Sequence, residues 1–360
     1  MSSSETLRVD AAVQPAVPDD TVLRSYMAEP FRSRMFPALE RWFYPAPRPE
    51  HRLDAEPRAG ANPGSDPELL IRHVLDDGGA DLAVLVPQTR GLLPDIDLAS
   101  EVCAATNRWL AEQWLEHPGA AGRLLGTIRV NPQDPGEAVR EIERWANHPQ
   151  MVQVAVTMQS HAPYGQRRFH PIWDAAQQHG LPVAILNDQA NATELKPTYA
   201  GYPSHFVEYA AQVPLNYIYH LLSLLVEGVF DRFEDLVVVF GDGGLDFAVP
   251  LLWRFDKDWR PSRIDLPWIE TRPMKRLGTN LRFCLSGFEG PPSAELTRRW
   301  LDIEHGGASL MWSSNYPSVR PPDPAELAEL PDELRDAVLG GTAAELYGLK
   351  APAAAPTGGS

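Results

Sequence analysis

The sequence predicts a (β/α)8 barrel with an inserted loop near its N-terminus, and three observations carry that reading. Short apolar runs alternate with helical patterns along the chain. The runs are almost continuously apolar, as in parallel strands covered on both faces. About eight such units share 360 residues, which favours a closed barrel over an open doubly wound sheet.

Taken in order, Asp81 to Pro87, "DLAVLVP", reads as a buried strand with Pro at its exit. "RLLGTIRV" (123–130) is the next, followed by the helical "PGEAVREIERWANHP", with Pro135 near its start and a charged face. "MVQVAVTM" (151–158) precedes the helix "PIWDAAQQHG", closed by Gly180. "LPVAIL" (181–186) leads to a long helix predicted over Leu215–Phe230. "LVVVF" (236–240) precedes the helix "DFAVPLLWRFDKDWR", and "LRFCLS" (281–286) and "ASLMWS" (308–313) complete the set. "GDGG" (241–244) follows a strand but lacks dinucleotide-loop spacing, so a tight strand-to-helix turn is the better reading.

The domain expected is a single barrel over 1–350. Residues 43–67, rich in Pro, Gly and charge, read as a long loop across the barrel mouth or an exposed insertion. Residues 351–360 read as a low-complexity disordered tail. A net charge of −16 argues against nucleic acid or an anionic membrane as partner. No apolar stretch approaches the ~20 residues of a membrane helix, and no signal peptide is visible at the N-terminus. Cys103 and Cys284, far apart and outside any C-x-x-C pair, read as buried structural thiols in a cytoplasmic protein.

The segments "RFHPIWDAAQQHGLPVAI", "LLSLLVEGVFDRFEDLVVVFGDGG", "PLLWRFDKDWR", "LMWSSNYPS" and "GGTAAELYGL" together are specific. From about Leu7 to Leu349 the chain resembles the amidohydrolase-related family that includes aminocarboxymuconate-semialdehyde decarboxylase. That resemblance implies a metal-dependent hydrolase or decarboxylase on a (β/α)8 barrel, often dimeric. It also implies ligand positions: an Asp-x-His pair on the first strand, a His after "GLPVAI", a His before a Pro, and the Asp of a closing "SSDYPH". Here those positions hold Ala12, Gln14, Leu186, Val213 and Asn315, with Ser318 in place of the closing His. Asp10 matches an acid outside the pair, and Asp242 is the nearest survivor of a family Glu. A catalytic zinc needs about three His, Asp, Glu or Cys ligands, so no metal and no other cofactor is expected.

Candidates for chemistry without a metal are Asp242, Asp188 and His161. Each follows a strand end, where a barrel places its active face. A sheltered carboxylate there can act as acid or base, while a turn-stabilising Asx contact is the plain alternative for both acids. His170 reads as a helix-start residue, and His220 as a packed helix residue that could share a face with Val213. Trp253 and Trp259 read as helix packing, and the run Arg254, Asp256, Lys257, Asp258, Arg260 as a solvated face or subunit contact. The functional expectation is a non-catalytic subunit, a homo-oligomer or a heteromer with a metal-bearing homologue. The alternatives are a divergent metal-independent hydrolase or decarboxylase acting on a small carboxylate or amide, and a small-molecule binder using the emptied pocket.

Overall fold

In a computed structural model, residues 7–34, 51–89, 92–188, 204–212, 215–241, 243–285, 293–318 and 332–350, with Leu327 and Leu330, are described. Eight strands form one parallel sheet in sequence order: β1 Val9–Val13, β2 Leu82–Leu85, β3 Leu124–Arg129, β4 Met151–Thr157, β5 Val183–Leu186, β6 Val238–Phe240, β7 Leu281–Leu285 and β8 Leu310–Trp312. The seam between the first and last strands is closed just beyond their ends, where Asn315 N–H donates to Ala12 O (3.0 Å) and Gln14 N–H to Tyr316 O (2.7 Å). The architecture is therefore a (β/α)8 barrel.

Side-chain alternation splits the apolar residues into two layers. Leu82, Val84, Leu125, Ala155, Ala184, Val239, Cys284 and Met311 fill the barrel interior. Ile128, Val154, Ile185, Phe240 and Phe283 face outward onto the helices, where Trp114, Trp173 and Phe230 complete an outer core. Both faces of the strands are thus largely dry, which explains their mostly apolar sequences.

The helices start where capping chemistry allows. Asp95 caps the helix Ile96–Leu110, and Asp134 accepts from Glu137 N–H at the head of the helix Pro135–Trp145. Gly180, at φ +64°, ends the turn after the helix His170–Gln178, as the sequence predicts. The predicted Leu215–Phe230 helix is broken. It runs as Leu215–Val226, turns at Gly228 (φ +67°) and resumes at Val229–Arg232. Gly228 takes the left-handed conformation that ends the helix, and a Cβ there would also sit 2.6 Å from the Trp268 ring. The helix over Leu245–Ser262 begins after Gly243 and Gly244, both at positive φ, so the tight-turn reading of "GDGG" holds for those two residues. Asp242 lies outside the described residues.

Trp253 departs from the packing role expected of it, being half-exposed, whereas Trp259 is buried. Asp256 departs from the solvated-face reading: it is buried, pairs with Arg272 and accepts from Met274 N–H. Residues 43–50 of the Pro/Gly-rich segment and the tail at 351–360 are outside the described residues. The segment from His51 runs beside the mouth, with Arg52 N–H bonded to Pro317 O and Ala16 N–H to Gly64 O.

The opposite end of the barrel is plugged by the C-terminal helix Thr342–Tyr347, whose Tyr347 hydroxyl donates to Gln153 Oε1 (2.9 Å). Gln153 in turn donates to Thr127 Oγ1 (2.9 Å). Gly340 makes this closure possible, since a Cβ there would lie 1.7 Å from Leu7 O. Backbone cannot yield as a side chain does. Gly340→Ala is expected to lower stability by about 1–3 kcal/mol or more, read by urea unfolding, and an unchanged midpoint would refute this account of the plug.

Candidate functional site

The mouth is built from the residues that leave the strands at their C-terminal ends. Ala12, Gln14, Gln88, Leu186, Asp188 and Asn315 surround one cleft, with Val86, Asn187 and Gly241 completing its wall. Its chemistry is mostly that of carboxamides. Gln88 Nε2 donates to Gln14 Oε1 at 3.0 Å, and Gln159 Nε2 donates to Asn187 Oδ1 at 3.3 Å.

Beneath it lies a buried ion pair. Arg129 points inward from the end of β3, and its Nη2 donates to Asp188 Oδ2 at 2.5 Å, with both side chains 1% exposed. Thr89 closes the cluster by donating N–H to Asp188 Oδ1 (3.1 Å) and its hydroxyl to Oδ2 (3.0 Å). Burial pushes the Asp188 carboxyl up, while Arg129 and Thr89 pull it down. Arg129 Nε and Nη1 have no hydrogen-bond partner among the described residues. The pair is an ordering device whose breakage is costly, because it leaves one uncompensated charge in a dry site.

A second buried acid stands at the seam. Asp10 is fully buried, and its Oδ1 accepts from Ser314 N–H (3.0 Å) and Ala12 N–H (3.3 Å). Oδ2 has no partner among the described residues. Burial raises its pKa to about 7, against the lowering effect of the Ser314 and Ala12 hydrogen bonds.

Residues 51–349 match the family model described as amidohydrolase. The chain belongs to the amidohydrolase family. Solved structures share its fold at low identity. A 5-carboxyvanillate decarboxylase from Sphingomonas paucimobilis is 22% identical, with a TM-score of 0.64 over 96% of this chain and 100% of that one. An amidohydrolase from Mycobacterium avium subsp. paratuberculosis is 19% identical, with a TM-score of 0.68 over 96% and 99%. A 5-carboxyvanillate decarboxylase from Novosphingobium aromaticivorans, solved with manganese, is 17% identical, with a TM-score of 0.66 over 96% and 97%. No curated protein sequence matches the chain.

For this amidohydrolase-family chain, the ligand positions implied by resemblance can be located. Ala12, Gln14, Leu186 and Asn315 all border the one cleft, and Val213 lies outside the described residues. Ala12 and Leu186 carry no donor atom, and carboxamides are weak ligands for zinc or iron. Among the described residues, no three His, Cys, Asp or Glu side chains come together as a metal site requires. The side chains described here do not fit a transition metal.

The candidate acids and bases part company. Asp188 lines the cleft, but its role is neither the Asx turn nor a free base, because both oxygens already accept. His161 is exposed and bonds Gln133 Oε1 through Nε2 at 3.1 Å, with no hydrogen bond to Asp188. His220 is a core residue, stacked on Tyr164 at 4.3 Å and bonded through Nε2 to Met158 O at 2.8 Å. His170 bonds Gly165 O at the head of its helix. Cys103 and Cys284 are buried and unpaired with each other, and burial pushes the Cys103 thiol up to about 12. The sequence reading missed Arg129 and Gln88. The available signal for Arg129 was a lone charge at the end of an otherwise apolar strand.

Two measurements check the electrostatics. Asp188→Asn leaves Arg129 charged and unpaired, so it should cost about 3–5 kcal/mol in denaturant unfolding. For Asp10 the folded pKa lies above the unfolded value of 3.8. Protonation therefore favours the folded state, and that stabilisation is complete below pH ~3.8 and lost as pH rises through about 7. Relative to Asp10→Asn, the native chain should lose on the order of a few kcal/mol between pH 5 and 8. Parallel stability curves for the two proteins would refute the assignment.

Proposed function

We propose that this chain is a non-catalytic amidohydrolase-fold subunit that pairs with and supports a metal-bearing homologue. One observation carries the reading. The cleft bordered by four of the family's ligand positions holds Ala12, Gln14, Leu186 and Asn315, without a donor set for a metal. Hydrolysis without Lewis-acid activation of water needs another source of several kcal/mol. Asp188 is committed to Arg129 and Thr89, and His161 stands apart from it, so neither supports a replacement base.

The partnership is supported by apolar residues left exposed on and after the outer helices. Tyr219 on the helix from Leu215, Trp253 on the helix from Leu245, and Ile264 and Trp268 beyond it are large apolar residues left exposed. Arg254 and Asp258 form an exposed pair at 3.9 Å on the same helix as Trp253. Aromatic residues with Arg at the rim are the composition of subunit contacts.

Elemental analysis of the purified chain should find well under one equivalent of Zn, Fe or Mn, and Asn315→Asp should not create tight binding. The chain alone should not turn over amides or aromatic carboxylic acids, but mixing it with the matching metal-bearing homologue should raise that protein's activity or solubility. A retained stoichiometric metal, or turnover by the isolated chain, would overturn the reading and leave a divergent enzyme in its place.

A further inference from the structure

We infer that residues 51–66 form an acid-released strap, in which protonation of His73 loosens the hold of this segment on the loop that closes the barrel.

Backbone hydrogen bonds lay the strap along that loop and the end of β1. His51 forms an antiparallel bridge with Ser318, and Arg52 N–H donates to Pro317 O at 2.9 Å. Gly64 N–H donates to Ala55 O, and Gly64 O accepts from Ala16 N–H, both at 3.0 Å. None of these bonds titrates. The side chains add a contact that does. His73, on the helical segment Ile71–Asp76, lies between strap and loop. Its Nδ1 is 3.2 Å from the Tyr316 hydroxyl, and its Nε2 is 3.9 Å from Asp54 Oδ2. Its side chain is 9% exposed. Tyr316 is buried, and its carbonyl accepts from Gln14 N–H at the seam, so His73 joins the strap to the seam.

A positive charge at His73 is poorly received. Both oxygens of Asp54 already accept from Arg52, Oδ1 from Nε at 2.9 Å and Oδ2 from Nη2 at 2.6 Å. Asp54 is also largely exposed, so water screens it. Burial and then Arg52 hold His73 below the ordinary histidine value of 6.5, with Arg72 adding to them and Asp54 and Asp77 opposing. Burial pushes the Tyr316 hydroxyl up to about 12, so it remains a donor for a neutral Nδ1. An imidazolium carries N–H on both nitrogens and meets that hydroxyl donor to donor until the hydroxyl turns.

A histidine whose pKa is lower with the strap down than with it released holds the strap best above pH ~6.5, and lets go as pH falls through the lower value. At pH 5.5 the released form gains at most about tenfold. His51 is 3.7 Å from Glu56 of the same strap, both partly exposed, so that pair does not tie strap to barrel. Asp10 at the seam has the opposite sign, because its proton favours the folded state.

Hydrogen exchange of the full chain at pH 7.5 and 5.5, corrected for the intrinsic pH dependence of exchange, reads the strap. Protection of the amides of residues 52 and 64 and of Ala16 should fall about two- to tenfold on acidification, relative to amides of β3 and β4. His73→Gln, uncharged at both pH values, should abolish the fall, and His51→Gln should leave it intact. Arg52→Ala removes the nearest cation and frees Asp54 for the imidazolium, so the fall should shrink or reverse. That variant keeps the test decisive if His73→Gln does not fold. Protection unchanged or raised by acid in the native chain, an undiminished fall in folded His73→Gln or Arg52→Ala, or a fall lost in His51→Gln would each overturn the inference.

Discussion

Everything at the mouth depends on how the barrel closes. A parallel sheet of eight strands has two edges until the first meets the last, and unpaired edges are both costly and sticky. Closure is made by two backbone hydrogen bonds, Asn315 to Ala12 and Gln14 to Tyr316, with Asp10 bound to Ser314 N–H beside them. Those bonds bring Ala12, Gln14 and Asn315 onto one cleft. They also constrain the chain, which turns away from β8 with Asn315 at φ +50°. Asn is among the few non-glycine residues that adopt this conformation readily. Its presence there therefore has a backbone reason independent of any ligand role.

The mouth end of the barrel places charge where water is excluded, and the protein answers with hydrogen bonds. Asp188 is held by three donors, the Thr89 N–H, the Thr89 hydroxyl and Arg129 Nη2, and Asp10 by the backbone N–H groups of Ala12 and Ser314. The two acids differ because their partners do. Asp188 faces a guanidinium, which compensates its charge. Asp10 meets dipoles only, so burial dominates and its proton is retained up to near neutral pH.

How much of this was legible depends on range. Strands were readable because burial on both faces writes a local apolar run, as at Met151–Met158. Helix ends were readable where Gly180 and Pro135 mark them. Ala12, Gln14, Leu186 and Asn315 could be paired with one another only through family resemblance, because the seam joins residues some three hundred positions apart. The Arg129–Asp188 pair was not legible for the same reason: its members sit on β3 and after β5, 59 residues apart. Asp188 could be seen at a strand end, but not that its lone pairs were spent. Asp256 and Trp253 misled in opposite directions, since the helix pattern leaves open which neighbour, here Arg272, covers each face.

The same separation explains how the barrel can persist while its mouth changes. The outer core between strands and helices, with Trp173, Phe230 and Phe240, lies away from the cleft residues. The interior layers of Val84, Leu125, Ala155 and Met311 fill the barrel below them. Ala12 and Leu186 form the upper edge of that interior layer, so substitution there alters the lining without reaching the outer core. What changes is the kind of energy the mouth can supply. A bound metal polarises water or a carbonyl by several kcal/mol. A pair of glutamines offers hydrogen bonds each worth on the order of 1 kcal/mol.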